Sequence, residues 1–144
     1  VWRIRKVIEM ERAIELLHGG RYTCVLCRGD EIYTSTESGI KPLLGWLDSG
    51  LDLKGFCAAD KVAGRAAAFL YILLGVKEVY ADVMSEEAAA TFAEYGIKAA
   101  SGVCVPNIIN RGGTGNCPME EAVKDVDEPG SAERVLREKV RNMK

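Results

Sequence analysis

A chain of 144 residues, 48% hydrophobic and with a net charge of −2, has the length of one ordinary domain able to bury a core. Its slight acidity argues against general nucleic-acid binding and against attraction to an anionic membrane surface. No uncharged apolar run reaches the ~18–20 residues of a membrane span, and no basic-then-apolar leader opens the sequence.

Apolar residues at 10, 13, 14 and 17 mark one face of a helix over 8–17. His18-Gly19-Gly20 ends it, with glycine available for a left-handed cap and His18 placed to meet the last carbonyls. Residues 22–28 and 31–36 read as strands joined at Gly29-Asp30, a β-hairpin. Ser38 to Leu44 leads into a short amphipathic helix that stops near Ser49-Gly50. A strand over 54–59 follows, and Asp60 is placed to cap a helix over 61–74 that is apolar nearly all round. Gly64 and Ala66 to Ala68 let that helix lie close to a sheet, and Gly75 stops it. Residues 77–83 alternate like a strand. Ser85 caps the next helix, which carries Glu86 and Glu87 in its first turn and ends at Gly96. A further strand lies within 97–105. Cys117 and Pro118 open a helix running to about Val126. After Asp127-Glu128-Pro129-Gly130, a charged helix with an apolar edge covers 131–143. Trp2 and Trp46 are expected in the core or an interface.

A hairpin followed by alternating helices and strands predicts an α/β domain: three α/β/α layers around a mixed sheet. Residues 1–126 are expected to form this domain, with 127–144 as a C-terminal helical extension.

The five cysteines are Cys24, Cys27, Cys57, Cys104 and Cys117. An odd count without an export signal points to a reducing cytoplasm. Cys24-x-x-Cys27 has a metal-knuckle spacing, but on a strand these two side chains face opposite ways. They read as small buried hydrophobes.

The set Gly39-Ile40-Lys41-Pro42-Leu43, Asp60-Lys61, Gly64-Arg65-Ala66-Ala67, Val76 to Ala81, Tyr95-Gly96-Ile97, and Ile109-Asn110-Arg111 leading to Cys117-Pro118-Met119-Glu120 resembles a small prokaryotic family, domain of unknown function family 1893, within the cytidine deaminase-like fold. The resemblance runs from about residue 10 to 126. It implies a cytidine deaminase-like architecture with a pocket at the start of the buried helix. Zinc deaminases place a ligand followed two residues later by a glutamate there, and a Pro-Cys-x-x-Cys pair at the next helix. With Cys57 as first ligand the glutamate position is Ala59; with Asp60 it is Val62. The next helix opens Met84-Ser85-Glu86-Glu87-Ala88, without cysteine. Zinc-dependent deamination is therefore not expected, nor is any metal or cofactor.

Candidate site residues cluster in two stretches. At the first, Lys61 and Arg65 oppose the preference of a helix N-terminus for acids, which suggests an anionic ligand beside Asp60 and Gly64. At the second, the glycine-rich run from Asn110 and Arg111 to Cys117 suits anion binding at a helix start, and Cys117 is a candidate nucleophile. Gly39 and Lys41 border the pocket that the resemblance implies. Two functions follow. One is a module binding a small anionic or nucleotide-like ligand. The other is a metal-independent enzyme using Asp60 and Lys61 as acid and base, with Cys117. The partners expected are that ligand and, in a homo-oligomer, further copies of the chain.

Overall fold

The computed structural model describes residues 2–109, 113, 115 and 117–143. In chain order its elements are α1 (Trp2–Gly19), β1 (Cys24–Arg28), β2 (Glu31–Ser35), α2 (Lys41–Ser49), β3 (Cys57–Ala63), α3 (Arg65–Leu74), β4 (Glu78–Ser85), α4 (Glu86–Glu94), β5 (Lys98–Val105), α5 (Pro118–Val123) and α6 (Pro129–Asn142). The strands form one mixed sheet in the order β2-β1-β3-β4-β5. β1 is antiparallel to β2 and β3, whereas β3, β4 and β5 run parallel. The hairpin turn is made by Gly29 in the left-handed region.

Strand alternation sorts side chains to two faces. Val25, Cys27 and Ala59 meet Ala13 and Leu17 of α1. Cys24, Leu26, Ala58, Val79 and Ala81 face the main core, which α2 to α6 complete around the buried helix α3. Cys24 and Cys27 thus lie on opposite faces, as their spacing requires. Three layers result, with α1 alone on one side. Ala132 and Leu136 of α6 are fully buried in the same core as α3. The stretch after residue 126 therefore packs as part of that core.

Several local expectations hold. Gly50 and Gly75 close α2 and α3 in the left-handed conformation. Ser85 Oγ accepts the Ala88 N–H at 3.0 Å, capping α4. Others do not. Gly19 and Gly20 are not in the left-handed region. The His18 ring leaves its own helix end and meets Asp82 of β4 at 2.6 Å, because α1 lies across the sheet and a carboxylate is a stronger partner than a carbonyl. α5 ends at Val123, short of residue 126.

The largest correction concerns Asp60, which does not cap a helix. β3 runs through it to Ala63, and α3 begins at Arg65. Asp60 pairs with Cys24 on β1 and with Ala81 on β4, and Val62 pairs with Val83. β4 holds this stretch extended as far as Ala63 while β1 pairs Asp60 from the other side, which overrides the helical preference of Lys61 and Ala63. Lys61 lies on the strand and Arg65 in the helix, so they share no helix face.

Candidate functional site

At the carboxyl end of β3, where α3 departs, lies a cavity of about 280 Å³. Its floor includes Asp60, Gly64 and Glu120, and its apolar wall includes Val62, Ala67 and Met119. Such a position, beyond the carboxyl ends of parallel strands, is where α/β folds place ligands. The Thr23 hydroxyl, at the start of β1, donates to the carbonyl of Glu37 and to that of Ser35 at 3.2 Å. That contact ties the β2–α2 connection to β1, and so brings Ser38 and Gly39 to the cavity.

Asp60 is 7% exposed and the most heavily buried acid in the core. Its Oδ2 accepts the Tyr71 hydroxyl at 2.7 Å, and its Oδ1 accepts the Val62 N–H at 3.4 Å. Burial pushes its carboxyl up from 3.8 to about 7, against the opposing hydrogen bonds. Behind Tyr71 stands the Cys24 sulfur, 3.0 Å from the hydroxyl. Since Tyr71 gives its proton to Asp60, the Cys24 thiol is the donor to Tyr71. Burial holds both the thiol and the phenol well above their ordinary values, so both stay protonated. A cysteine, a tyrosine and an aspartate from three elements thus form one directed chain ending in the cavity.

Glu120, in the first turn of α5, is the second acid of the cavity. Its two oxygens accept the Arg65 N–H at 2.7 Å and the Ala66 N–H at 3.0 Å. It is therefore the cap of α3, acting from another helix where Gly64 offers no side chain. Burial raises its carboxyl and the two N–H groups oppose that. Gly64 is required by this approach, since an ideal Cβ there would stand 2.5 Å from each Glu120 oxygen.

Of the residues singled out in the sequence, Gly39, Asp60, Lys61, Gly64 and Cys117 come together around the cavity. Lys61 is exposed at its mouth. Cys117 is half-buried, and its N–H bonds the Ile108 carbonyl at 2.9 Å. Its thiol caps no N–H of α5. Lys41 lies apart, on an open groove with Asp48 and Arg137 between α2 and α6. Arg65 points away, with Nη1 on the Lys124 carbonyl at 3.0 Å and Nη2 at 3.5 Å from Asp127. It closes the carboxyl end of α5. Asn110 and Arg111 lie outside the described residues.

Tyr71, the polar role of Cys24 and the capping role of Glu120 are not among the features that the sequence singles out. A signal existed for the first: Tyr71 is the one side chain of α3, apart from Arg65, with a polar atom, and a buried phenol needs a partner. On the opposite face of the sheet His18 and Tyr80 both bond Asp82 Oδ1, at 2.6 and 2.8 Å. Burial raises the Asp82 carboxyl, but these hydrogen bonds outweigh it and leave it below its ordinary value. His18 is thus engaged across the sheet from Cys117.

Among the described residues, no group of three or more His, Cys, Asp and Glu side chains is arranged to hold a metal ion. Nor is any helix long and apolar enough to cross a membrane.

Fold and cavity define an α/β protein with a small acid-floored pocket at the end of its third strand. The chain belongs to the family described as a domain of unknown function (DUF1893), whose model matches residues 12–140. That match takes in most of α6 and so extends past residue 126. A crystal structure of a DUF1893 family protein from Thermotoga maritima is similar to this chain, with 25% identity and a TM-score of 0.85, over 92% of this chain and 90% of that one. Two further solved structures are more distant. A diaminohydroxyphosphoribosylaminopyrimidine deaminase/5-amino-6-(5-phosphoribosylamino)uracil reductase from Thermotoga maritima has 18% identity and a TM-score of 0.43, over 67% of this chain and 36% of that one. The dCMP deaminase from the cyanophage S-TIM5 has 12% identity and a TM-score of 0.44, over 67% of this chain and 95% of that one. Among curated proteins none matches.

Proposed function

We propose that this chain is a cytoplasmic protein that binds a small nucleotide-like molecule, or another with an anionic end, in the cavity above Asp60. One observation carries the reading: a buried carboxyl opens onto the floor of an otherwise largely apolar cavity. Burying an acid is costly, and a polar ligand group is a reason to keep one there. The cavity volume of about 280 Å³ is at the small end of ligand pockets, which run from about 300 Å³ upward. Lys61 at the mouth supplies a positive charge for an anionic end. The five free cysteines fit a reducing compartment.

A second reading is favoured by one feature. A carboxyl lifted to about 7 suits proton transfer near neutral pH, so Asp60 can serve as acid and base in a metal-independent enzyme, with Lys61 and Cys117 beside the substrate.

Native mass spectrometry of the purified protein tests the binding reading, through a co-purified small molecule lost in Val62→Trp. Val62 lines the cavity and is 46% exposed, so the larger ring has room to enter without rebuilding the core. A ligand retained by Val62→Trp would place binding elsewhere. Time-dependent consumption of the released ligand by fresh protein would establish the enzymatic reading instead. Elemental analysis should find no stoichiometric zinc; one tightly bound zinc per chain would contradict a metal-independent reading.

A further inference from the structure

The two acids of the cavity differ in what they leave open. Both oxygens of Glu120 are held by backbone N–H groups at the start of α3. Asp60 is held differently. Tyr71 occupies one lone pair of Oδ2 and the Val62 N–H one lone pair of Oδ1. The Lys61 N–H also approaches the carboxyl but is held by the Thr23 carbonyl at 3.1 Å, so acceptor capacity remains on Asp60, which lines the cavity. The Tyr71 phenol is fully buried and meets the Cys24 sulfur at 3.0 Å from behind. The orientation of the carboxyl is thereby fixed by groups outside the cavity.

We propose that Asp60 grips a planar amidine-type edge, a ring nitrogen beside an exocyclic amino group, on the inner end of the ligand. This rests on the reading that the cavity binds a small molecule. Two parallel hydrogen bonds join a carboxyl to such an edge, and they form wherever the single proton resides. A neutral Asp60 donates its O–H to the ring nitrogen and accepts from the amino group. An ionised Asp60 accepts from a protonated ring nitrogen and from the amino group. The complex needs one proton in total, and it needs the carboxyl held flat, which Tyr71 and Cys24 achieve. A carboxylate or phosphate at this end could share only one hydrogen bond with the acid, and only while Asp60 stays protonated. Burial that holds the Asp60 carboxyl near neutrality keeps the proton available to either partner.

The probe is 2-aminopyridine, titrated into the whole protein by calorimetry from acid to alkaline pH, with pyridine and benzoate as controls. The expected affinity is bell-shaped in pH, falling when both partners are protonated and when neither is. Pyridine and benzoate should bind at least about tenfold more weakly, the loss expected for a hydrogen bond to a charged group. Asp60→Leu should lose about tenfold or more, whereas Asp60→Asn, which keeps a donor and an acceptor but no titrating proton, should lose the alkaline limb. Tyr71→Phe should weaken binding by freeing the carboxyl and should also move the alkaline limb upward, since the phenol stabilises the ionised carboxyl. That shift is a signature that a merely structural role for Tyr71 would not give. Equal binding of benzoate, a monotonic pH profile, or no binding of 2-aminopyridine at millimolar concentration would overturn the proposal. Val62→Trp separates the two readings. If it abolishes binding while Asp60→Leu does not weaken it, the cavity reading stands and the amidine edge falls. If neither variant weakens the probe, both fall.

Discussion

Removing the charge at Asp60 should make the protein more stable, and by an amount that depends on pH. The folded carboxyl is lifted from 3.8 to about 7 by burial. At about 1.4 kcal/mol per pH unit, that difference is worth about 4 kcal/mol. The sign follows from proton binding. Between the two values the folded chain holds a proton at Asp60 that the unfolded chain has lost. Stability from this group is therefore full below pH 3.8, is lost as pH rises toward about 7, and stays lost above. Asp60→Asn has no such proton; its carbonyl still accepts from Tyr71, and losing the long 3.4 Å contact from the Val62 N–H is a small cost that does not change with pH. The two proteins should be close in stability at pH 4, and the variant should gain on the wild type by about 4 kcal/mol by pH 8. Urea unfolding of both proteins at each pH supplies the measurement, and taking the difference cancels every other titrating group. A difference that stays flat from pH 4 to 8 would refute the burial argument, because it would mean that Asp60 ionises in the folded chain as it does in water.

Two further outcomes test how the cavity is built. Glu120→Ala strips the start of α3 of its acceptor and should cost about 1–2 kcal/mol, as lost N-caps do. Gly64→Ala should cost a similar amount by driving the Glu120 carboxylate away, and the double variant should cost little more than either alone; full additivity would separate the two effects. Leu136→Ala, at a fully buried position on α6, should lose about 2–5 kcal/mol in denaturant unfolding. A loss below about 0.5 kcal/mol would show α6 to be a surface attachment.

The sequence by itself determined the features that depend on short stretches of chain. The alternation in 22–28 and 77–83 marked strands, and it set Cys24 and Cys27 on opposite faces. Gly50, Gly75 and Gly96 end helices because a left-handed residue is cheapest without a Cβ, and Ser85 caps α4 from its own neighbourhood. From these alone the α/β class and the order of elements follow. Tertiary structure decided what happens between β3 and α3. Asp60-Lys61-Val62-Ala63 reads locally as the start of a helix, and becomes strand because Cys24 pairs with Asp60 from one side and Ala81 and Val83 hold the other. Arg65 reads as a ligand cation and instead closes α5, while Glu120 reads as an ordinary first-turn acid and instead caps α3 from 54 residues away. Tyr71 reads as one more core side chain until the fold sets its hydroxyl against Asp60. Local preferences are worth tenths of a kcal/mol per residue and reach only a turn or so along the chain, whereas a buried polar group must find its partner wherever the fold provides one.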